Sequence, residues 1–211
     1  ELYRSGFGER LPGSSPAAAL WWASSGWKIS ERCPPPDAAG AAIRVSAAGG
    51  ETEGVQLVVR PASVLRRFLP EAGPLRGPGG AVLPASAVEF LRVAYVPVKH
   101  PTDAAGAAGN WPDPLPPVRA PLDLAAGRNH PVWIRVTVPR GTPAGTYAGE
   151  LKLAAQGFSA SATLLVEVFG FDLPAEPALK SAFGFDPGLA FRYHGVTDDA
   201  SRRAVLERYW E

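Results

Sequence analysis

Side chains suited to redox or metal chemistry are scarce in this sequence. Its 211 residues include one cysteine, three histidines and no methionine. Cys33 lies beside three prolines and has no second cysteine to pair with, so we interpret it as an incidental loop thiol rather than a nucleophile. His100 and His130 lack a Cys or His companion at ligand spacing, which predicts no metal site and no cofactor.

An excess of one charge and long apolar runs are also missing. The 21 basic and 20 acidic residues are spread along the chain and leave a net charge of +1. This balance provides no electrostatic footprint for nucleic acid or for an anionic membrane. No apolar run approaches the roughly 18 residues of a membrane helix, and the pattern of a signal peptide is absent. A neutral partner is therefore expected, and the cellular compartment stays open.

The strongest structural signal is an alternation of apolar and polar residues, which is typical of half-buried strands. Apolar residues make up 46% of the chain, enough for a core. We find no convincing helix before residue 195, and the segments are separated by turns. This arrangement favours an antiparallel β-sandwich over a βαβ fold. The predicted strands lie near residues 21–29, 43–46, 55–60, 88–98, 132–138, 147–153 and 159–168.

Several local features of these strands can be predicted. The apolar residues of Val88–Val98 change phase, which predicts a β-bulge near Phe90–Leu91. The turn at Pro139–Gly145 is expected to join its flanking strands into a hairpin with one wet face. We expect Tyr147 to point into the core, where its hydroxyl needs a backbone partner, and Trp133 to point away from the core.

The pattern changes after a stiff, proline-containing linker at Phe171–Pro177. Ser181–Phe185 is strand-like, a loop follows, and Thr197–Asp199 opens a helix. Strand, loop and helix form the first unit of a (β/α)8 barrel, and the chain is too short to contain the remaining units. We therefore predict an N-terminal β-sandwich domain over residues 1–175 and the start of a truncated barrel over residues 176–211.

Short strings within residues 40–185 carry the most specific information in the sequence. They are Val45–Pro61, Tyr95–Val98, Trp111–Pro116, Pro131–Val136 and Pro143–Gly149. In this order and spacing they resemble the N-terminal region of glycoside hydrolase family 123 and its uncharacterised relatives. The resemblance implies a β-sandwich that packs on its own C-terminal (β/α)8 barrel. It also implies a glycan or glycoside substrate, an N-acetylgalactosaminide, cleaved with retention by the substrate's own acetamido group.

The acidic residues of the chain do not include the catalytic pair that this mechanism requires. Substrate-assisted hydrolysis needs one carboxylic acid to protonate the leaving oxygen and a second carboxylate to orient the acetamide. In the family, a neighbouring Asp-Glu pair on a barrel strand supplies both groups. No Asp-Glu dipeptide occurs here, so we assign no catalytic residue. Asp198 and Asp199 lie where a helix begins, and helix capping accounts for them.

Candidate substrate-binding residues follow the strand-like segment of the predicted barrel. Barrel active sites are built from loops after the C-terminal ends of the strands. Asp186, Arg192, Tyr193 and His194 lie in such a position and offer a carboxylate, a planar cation, an aromatic face and an imidazole. The alternative is a loop held to its neighbours by ordinary hydrogen bonds.

A second candidate region is the long segment His100–Pro121, which is predicted to lack regular structure. It contains Trp111 and Asp113, and an exposed Trp beside a carboxylate suits sugar recognition. The alternative is that Trp111 fills the contact between sandwich and barrel.

Three functions fit these observations. The first is the accessory N-terminal domain of a glycoside hydrolase whose catalytic residues lie beyond this chain. The second is a non-catalytic carbohydrate-binding or cell-surface module, and the third is a purely structural sandwich. Glycan affinity separates the second from the third.

Overall fold

The computed structural model describes residues 8–103, 106–176 and 184–210, and the chain in these ranges is mainly β. It divides into two compact units, with the division between Ala175 and Glu176. The strands are β1 (Glu9–Arg10), β2 (Ala18–Ser24), β3 (Ile43–Gly49), β4 (Thr52–Pro61), β5 (Leu65–Ala72), β6 (Leu75–Arg76), β7 (Val82–Leu83), β8 (Val88–Arg92), β9 (Tyr95–Val98), β10 (Gly109–Pro112), β11 (Leu122–Leu124), β12 (His130–Thr137), β13 (Gly145–Ala155) and β14 (Phe158–Asp172).

Helices are short throughout the described part of the chain. Two 3-10 helices, Pro78–Gly80 and Ala85–Ala87, lie in the first unit. The second unit contains α1 (Pro187–His194) and α2 (Asp199–Trp210). Within the described residues, no helix has the length and apolar character needed to cross a membrane.

In its described residues, the first unit contains two large sheets and one small sheet. The first large sheet has the strand order β1-β2-β4-β12-β8. The second has the order β11-β5-β13-β14-β3, with β6 attached to β13 and β7 attached to β6. Strands β9 and β10 form a separate two-stranded sheet. The strands predicted from alternation at residues 43–46, 55–60 and 159–168 are confirmed as β3, β4 and β14.

The expectation of a wholly antiparallel architecture is wrong for the pairing of β3 with β14. Strands β14 and β3 run parallel, with Leu164 opposite Ile43 and Val166 opposite Val45. Parallel neighbours need a long connection, and here the chain builds most of both sheets between β3 and β14. The second large sheet is therefore mixed.

A single apolar core is shared by the two large sheets. Leu57 and Ile134 of the first sheet and Leu153 and Leu164 of the second are fully buried in the same cluster. Each such side chain stabilises the fold by roughly 1.5–3 kcal/mol. The alternation in β12 is confirmed, because its apolar residues face this core while Trp133 lies on the opposite face, over Gly54.

The run Val88–Val98 is two strands rather than one bulged strand. β8 keeps an unbroken register with β12, and the chain then begins β9, which pairs with β10. The predicted bulge is therefore wrong. The phase change has another cause. Leu91 is buried although it lies on the face opposite to the core. The outer edge of β8 pairs with the segment 113–118. The Arg92 N–H donates to the Pro116 carbonyl of that segment.

The predicted hairpin through Pro139–Gly145 is also wrong. β12 and β13 lie in different sheets, so this turn carries the chain from one sheet to the other. The apolar faces of the two strands can then meet across the core, which a hairpin in one sheet does not allow. The hairpin with a wet face is instead formed by β13 and β14, which turn at Gly157 with φ of 70°.

The second unit contains a helix where none was expected. α1 begins after Asp186, whose side chain accepts a hydrogen bond from the Gly188 N–H at 2.8 Å, and it has Pro187 at its first position. It ends at Gly195, which has the left-handed φ of 64°. Asp, Pro and a terminal Gly are the sequence signals of such a helix, and they were missed.

The capping interpretation of the second helix is confirmed. The Ser201 N–H donates to the Asp198 carboxylate at 2.9 Å, and this hydrogen bond lowers the pKa of Asp198. Asp199 lies in the first turn of α2. Most of the predicted strand Ser181–Phe185 lies outside the described residues.

Tyr147 places a polar hydroxyl group in the apolar core. Its side chain is fully buried, and its hydroxyl donates to the Pro143 carbonyl at 2.9 Å, as expected from the sequence. We expect Tyr147→Phe to lower the free energy of unfolding by about 1 kcal/mol, because the hydrogen bond to the Pro143 carbonyl is lost. Urea denaturation followed by tryptophan fluorescence measures the change.

The matched control is Tyr193→Phe, because Tyr193 is 84% exposed in the structure. This change should alter the free energy of unfolding by less than about 0.5 kcal/mol. Equal unfolding midpoints for the wild type and Tyr147→Phe would contradict the role given to the buried hydrogen bond.

Candidate functional site

The segment 24–33 covers the outer face of the first sheet. Ile29 packs with Trp21 and Val58 in a small apolar cluster that is separate from the main core. Because side chains alternate along a strand, Trp21 and Val58 point away from the main core while their neighbours point into it. This second cluster attaches the segment to the sheet.

Buried amide side chains hold the same segment in place. Gln56 and Asn129 are the buried polar residues of the described part of the chain. Gln56 donates to the Trp27 carbonyl at 2.8 Å, and Asn129 donates to the Ser30 carbonyl at 2.7 Å and the Cys33 carbonyl at 2.8 Å. Each amide thereby satisfies its own donors and the backbone of the segment.

Cys33 belongs to the hydrogen-bond network that holds this segment, and its surroundings are not those of a reactive thiol. Its thiol contacts the Ser30 carbonyl at 3.4 Å, and the Asn129 amide lies 3.1 Å from the sulfur. Burial raises the pKa of the Cys33 thiol, which reduces the thiolate fraction at neutral pH. The interpretation as an unreactive loop thiol agrees with this environment.

The segment His100–Pro121 contains more regular structure than expected. Its residues Gly109–Pro112 form β10, which pairs with β9 in a hairpin. Trp111 lies opposite Val96, and its indole N–H donates to the Ala107 carbonyl at 2.6 Å. The hairpin therefore holds Trp111 at one position, beside Ser30 of the segment 24–33.

Asp113 lies just beyond β10 and is exposed. Its carboxylate is 3.7 Å from the Lys28 ammonium group, which also donates to the Pro112 carbonyl at 3.0 Å. The ion pair is exposed on both sides and contributes little to stability. Trp111 and Asp113 thus lie near each other. Trp111 lines a small hollow of about 180 Å³ beside Ser30, and Asp113 is not part of that lining.

A cleft of about 430 Å³ lies between the β9–β10 hairpin, β11 and the start of β12. Glu31 belongs to the segment 24–33 and lines this cleft. Its carboxylate accepts from the Asn110 amide at 3.1 Å and from the Arg128 guanidinium at 3.4 Å. The other polar residues in the lining are Arg92, Tyr95, Asp123, Asn129 and His130. Sequence reasoning missed this cleft, because Glu31 and Asn110 stand in different segments with no motif linking them.

Two titratable groups in the cleft are neutral at physiological pH. The His130 imidazole lies 3.0 Å from the Ala125 carbonyl, and burial lowers its pKa. Since a carbonyl only accepts, the Nε2 of His130 carries the proton. The Tyr95 hydroxyl donates to the Ile29 carbonyl at 2.8 Å, and burial raises its pKa.

Asp123 on β11 lies opposite a β-bulge in β5 and accepts hydrogen bonds from the bulged residues. Its carboxylate accepts from the Arg67 N–H at 2.9 Å and from the Arg66 guanidinium at 2.7 Å, and these bonds lower its pKa. Two residues of β5 oppose this one residue of β11, and Arg67 takes the left-handed φ of 56°. In the described ranges, no group of three His, Cys, Asp or Glu residues is placed to hold a metal ion.

The candidate residues of the second unit were expected on a loop. The structure instead places them on α1 or at its N-terminal cap. Asp186 caps the start of the helix, whereas Arg192, Tyr193 and His194 form its last turn, about 12 Å away at 1.5 Å per residue. The His194 imidazole lies 3.2 Å from the hydroxyl of Tyr209, and the rings of Tyr193 and His194 meet edge to face. The structure thus groups Tyr193 with His194 and places Asp186 apart.

The family to which the chain belongs follows from a match over most of the first unit. The model of the glycoside hydrolase 123 N-terminal domain matches residues 22–155, more than half of the chain. The fold and this match define the chain as containing a glycoside hydrolase accessory domain. The chain belongs to the glycoside hydrolase 123 N-terminal domain family, and the resemblance found in its sequence is confirmed. No curated protein sequence matches the chain significantly.

Comparison with solved structures agrees with this assignment. A family 123 glycoside hydrolase from Clostridium perfringens, studied for the details of glycolipid glycan hydrolysis, has a TM-score of 0.62 and 12% identity. The match covers 74% of this chain and 28% of the Clostridium chain, so this chain spans well under half of that enzyme. At this identity the likeness concerns the fold alone.

More distant matches were also found. Spo0M, a sporulation control protein from Bacillus subtilis, has a TM-score of 0.34 and 12% identity over 72% of this chain and 49% of its own. The CooA pilin subunit from enterotoxigenic Escherichia coli has a TM-score of 0.34 and 13% identity, over 75% of this chain and 100% of its own. These scores are too low to inform on the fold.

His130 makes the stability of the first unit depend on pH. Its folded pKa is lowered, so the unfolded chain takes up a proton on this imidazole at a higher pH than the folded chain does. The stabilisation is present above the unfolded pKa of about 6.5 and is lost as the pH falls through the lower folded value. We expect His130→Gln to lose less stability than the wild type between about pH 7 and pH 5.

Thermal melting across this pH range provides the measurement, and His100→Gln is the control because His100 is exposed. The control should follow the wild type. A pH dependence that is the same in wild type and His130→Gln would show that another group is responsible.

Proposed function

We propose that the chain is the accessory N-terminal domain of a glycoside hydrolase that cleaves N-acetylhexosaminides, with N-acetylgalactosaminides as its substrates. The observation that carries this proposal is the family match over residues 22–155. The Clostridium enzyme with the same fold, which acts on glycolipid glycans, supports a glycan substrate. The even balance of charge along the chain also suits a neutral substrate.

The proposed domain organisation is a β-sandwich over residues 1–175 followed by the first part of a (β/α)8 barrel. Two large sheets that share one apolar core support the sandwich. The division between Ala175 and Glu176 supports the boundary. Because this chain spans 28% of the Clostridium enzyme, we assign catalysis to a barrel that continues beyond these residues.

The proposed chemistry is retaining hydrolysis assisted by the substrate. The acetamido oxygen of the sugar attacks the anomeric carbon, one carboxylic acid protonates the leaving oxygen, and a second carboxylate orients the acetamide. No Asp-Glu pair stands in this chain, so both carboxylates are assigned to the barrel. The role of the first unit is then to support and position the barrel.

Within the second unit we assign substrate contact to the last turn of α1. Tyr193 is 84% exposed, its ring meets that of His194 edge to face, and the His194 imidazole lies 3.2 Å from the Tyr209 hydroxyl. An aromatic face with a polar tip suits the mixed surface of a sugar ring. We assign no substrate contact to Asp186, because one of its carboxylate oxygens caps the start of α1, at the opposite end of the helix from Tyr193 and His194.

Hydrolysis of a chromogenic N-acetylgalactosaminide tests the main proposal. The product of the whole reading frame should release the chromophore with retention at the anomeric carbon. The 211-residue chain should release none, because it lacks the acidic pair. Hydrolysis by the 211-residue chain, or inactivity of the longer product on all N-acetylhexosaminides, would refute the proposal.

Steady-state kinetics of the longer product test the contact at Tyr193. We expect Tyr193→Ala to raise KM by about tenfold with little change in kcat, because an interaction made equally in ground and transition states is lost. Tyr193→Phe keeps the ring and should retain the wild-type KM. An unchanged KM in Tyr193→Ala would remove the residue from the substrate site.

A further inference from the structure

We propose that the cleft beside the β9–β10 hairpin is a saccharide-binding site that holds one neutral sugar residue. Neither the sequence resemblance nor the family match assigns a role to this cleft. Its volume of about 430 Å³ lies within the range of about 300–1,000 Å³ that small-molecule sites occupy. The choice of a sugar as ligand rests on the proposed function.

The pair formed by Glu31 and Asn110 supplies the hydrogen-bonding pattern. A carboxylate has about four acceptor positions, and two of them on Glu31 are used by Asn110 and Arg128. The amide of Asn110 offers an acceptor oxygen and a second N–H. Neighbouring hydroxyls of a sugar each donate and accept, so a carboxylate beside an amide can bind two of them at once.

The charges around the cleft favour an uncharged ligand. The carboxylate of Asp123 is held by Arg66 and that of Glu31 by Arg128, while Arg92 contributes a further cation to the lining. Negative and positive groups are thus nearly balanced. An anionic or cationic ligand would meet a charge of its own sign, whereas a polyol can bond to both kinds.

The remaining walls have the mixed polarity that a sugar ring requires. Tyr95 belongs to the lining, and its hydroxyl is already bonded to the Ile29 carbonyl. His130 is neutral, and its Nε2 proton is directed to the Ala125 carbonyl, which leaves Nδ1 as an acceptor. Val93 and Leu124 add apolar surface to the lining.

The site is organised before any ligand arrives. The Glu31 carbonyl accepts from the Asn129 N–H at 2.8 Å, and the carbonyls of Ile29 and Ser30 are held by Tyr95 and Asn129. The backbone carbonyls of residues 29–31 are therefore all held by hydrogen bonds. Binding then costs less conformational entropy than it would on a free loop.

Titration of the 211-residue chain, labelled with nitrogen-15, tests the proposal by NMR. The probes are galactose, N-acetylgalactosamine and N-acetylglucosamine. We expect chemical-shift changes at the backbone amides of Glu31, Tyr95, Asn110 and His130 for at least one of them. The comparison among the three sugars shows whether the acetamido group or the hydroxyl pattern is recognised.

Glu31→Gln and Asn110→Ala should each weaken this binding by about tenfold. Asn110 is exposed on the hairpin, so its substitution leaves the core intact. If Glu31→Gln fails to fold, the affinity of Asn110→Ala alone tests the proposal. Glu150→Gln is the matched control, because Glu150 is an exposed carboxylate on β13 in the other large sheet. It should bind as the wild type does.

The proposal is overturned if none of the three sugars shifts the cleft amides, or if both variants bind as tightly as the wild type. Hydrolysis by the longer product is measured separately, so the two proposals fail independently. Active enzyme with no shifts at the cleft would refute the saccharide site alone. Binding at the cleft without hydrolysis would leave the site standing and refute the glycosidase.

Discussion

Burial of two apolar sheet faces against each other is the constraint on which the rest of this structure depends. The inward residues of β4 and β12 meet those of β13 and β14 in one core. Since the gain scales with apolar area removed from water, the chain crosses between sheets at Gly49–Gly50 and at Pro139–Gly145 rather than closing local hairpins. Those crossings leave the outer face of the first sheet free to receive a separate segment.

The buried amide side chains then create a binding cleft on that outer face. Gln56 and Asn129 have to satisfy their amides out of water, and they do so on the backbone of the segment 24–33. The cost of an unpaired buried amide, about 1–3 kcal/mol, makes this arrangement specific. Its consequence is that Glu31 is held beside Asn110, at the edge of a cleft that the proposed function can use.

Much of the fold was predictable, and most of the site was not. Alternation placed Val132, Ile134 and Val136 on the buried face of β12, and the inward side of Tyr147 and its need for a partner followed from the same pattern. The bulge at Phe90–Leu91 was wrongly predicted. The segment 113–118 covers the outer edge of β8, and the residues of β8 themselves carry no signal of that contact. The last turn of α1 was placed in a loop although Asp186, Pro187 and Gly195 mark its ends.

The sequence by itself determined several of the strands, the family and the absence of an acidic pair, because each depends on residues close together in the chain. Side-chain period, turn residues and short motifs are local properties. Only the tertiary structure decided which strands share a sheet, that β3 and β14 run parallel, and that Glu31 meets Asn110. These are pairings between distant segments, chosen by the total apolar area and the hydrogen bonds of the whole unit rather than by any one segment.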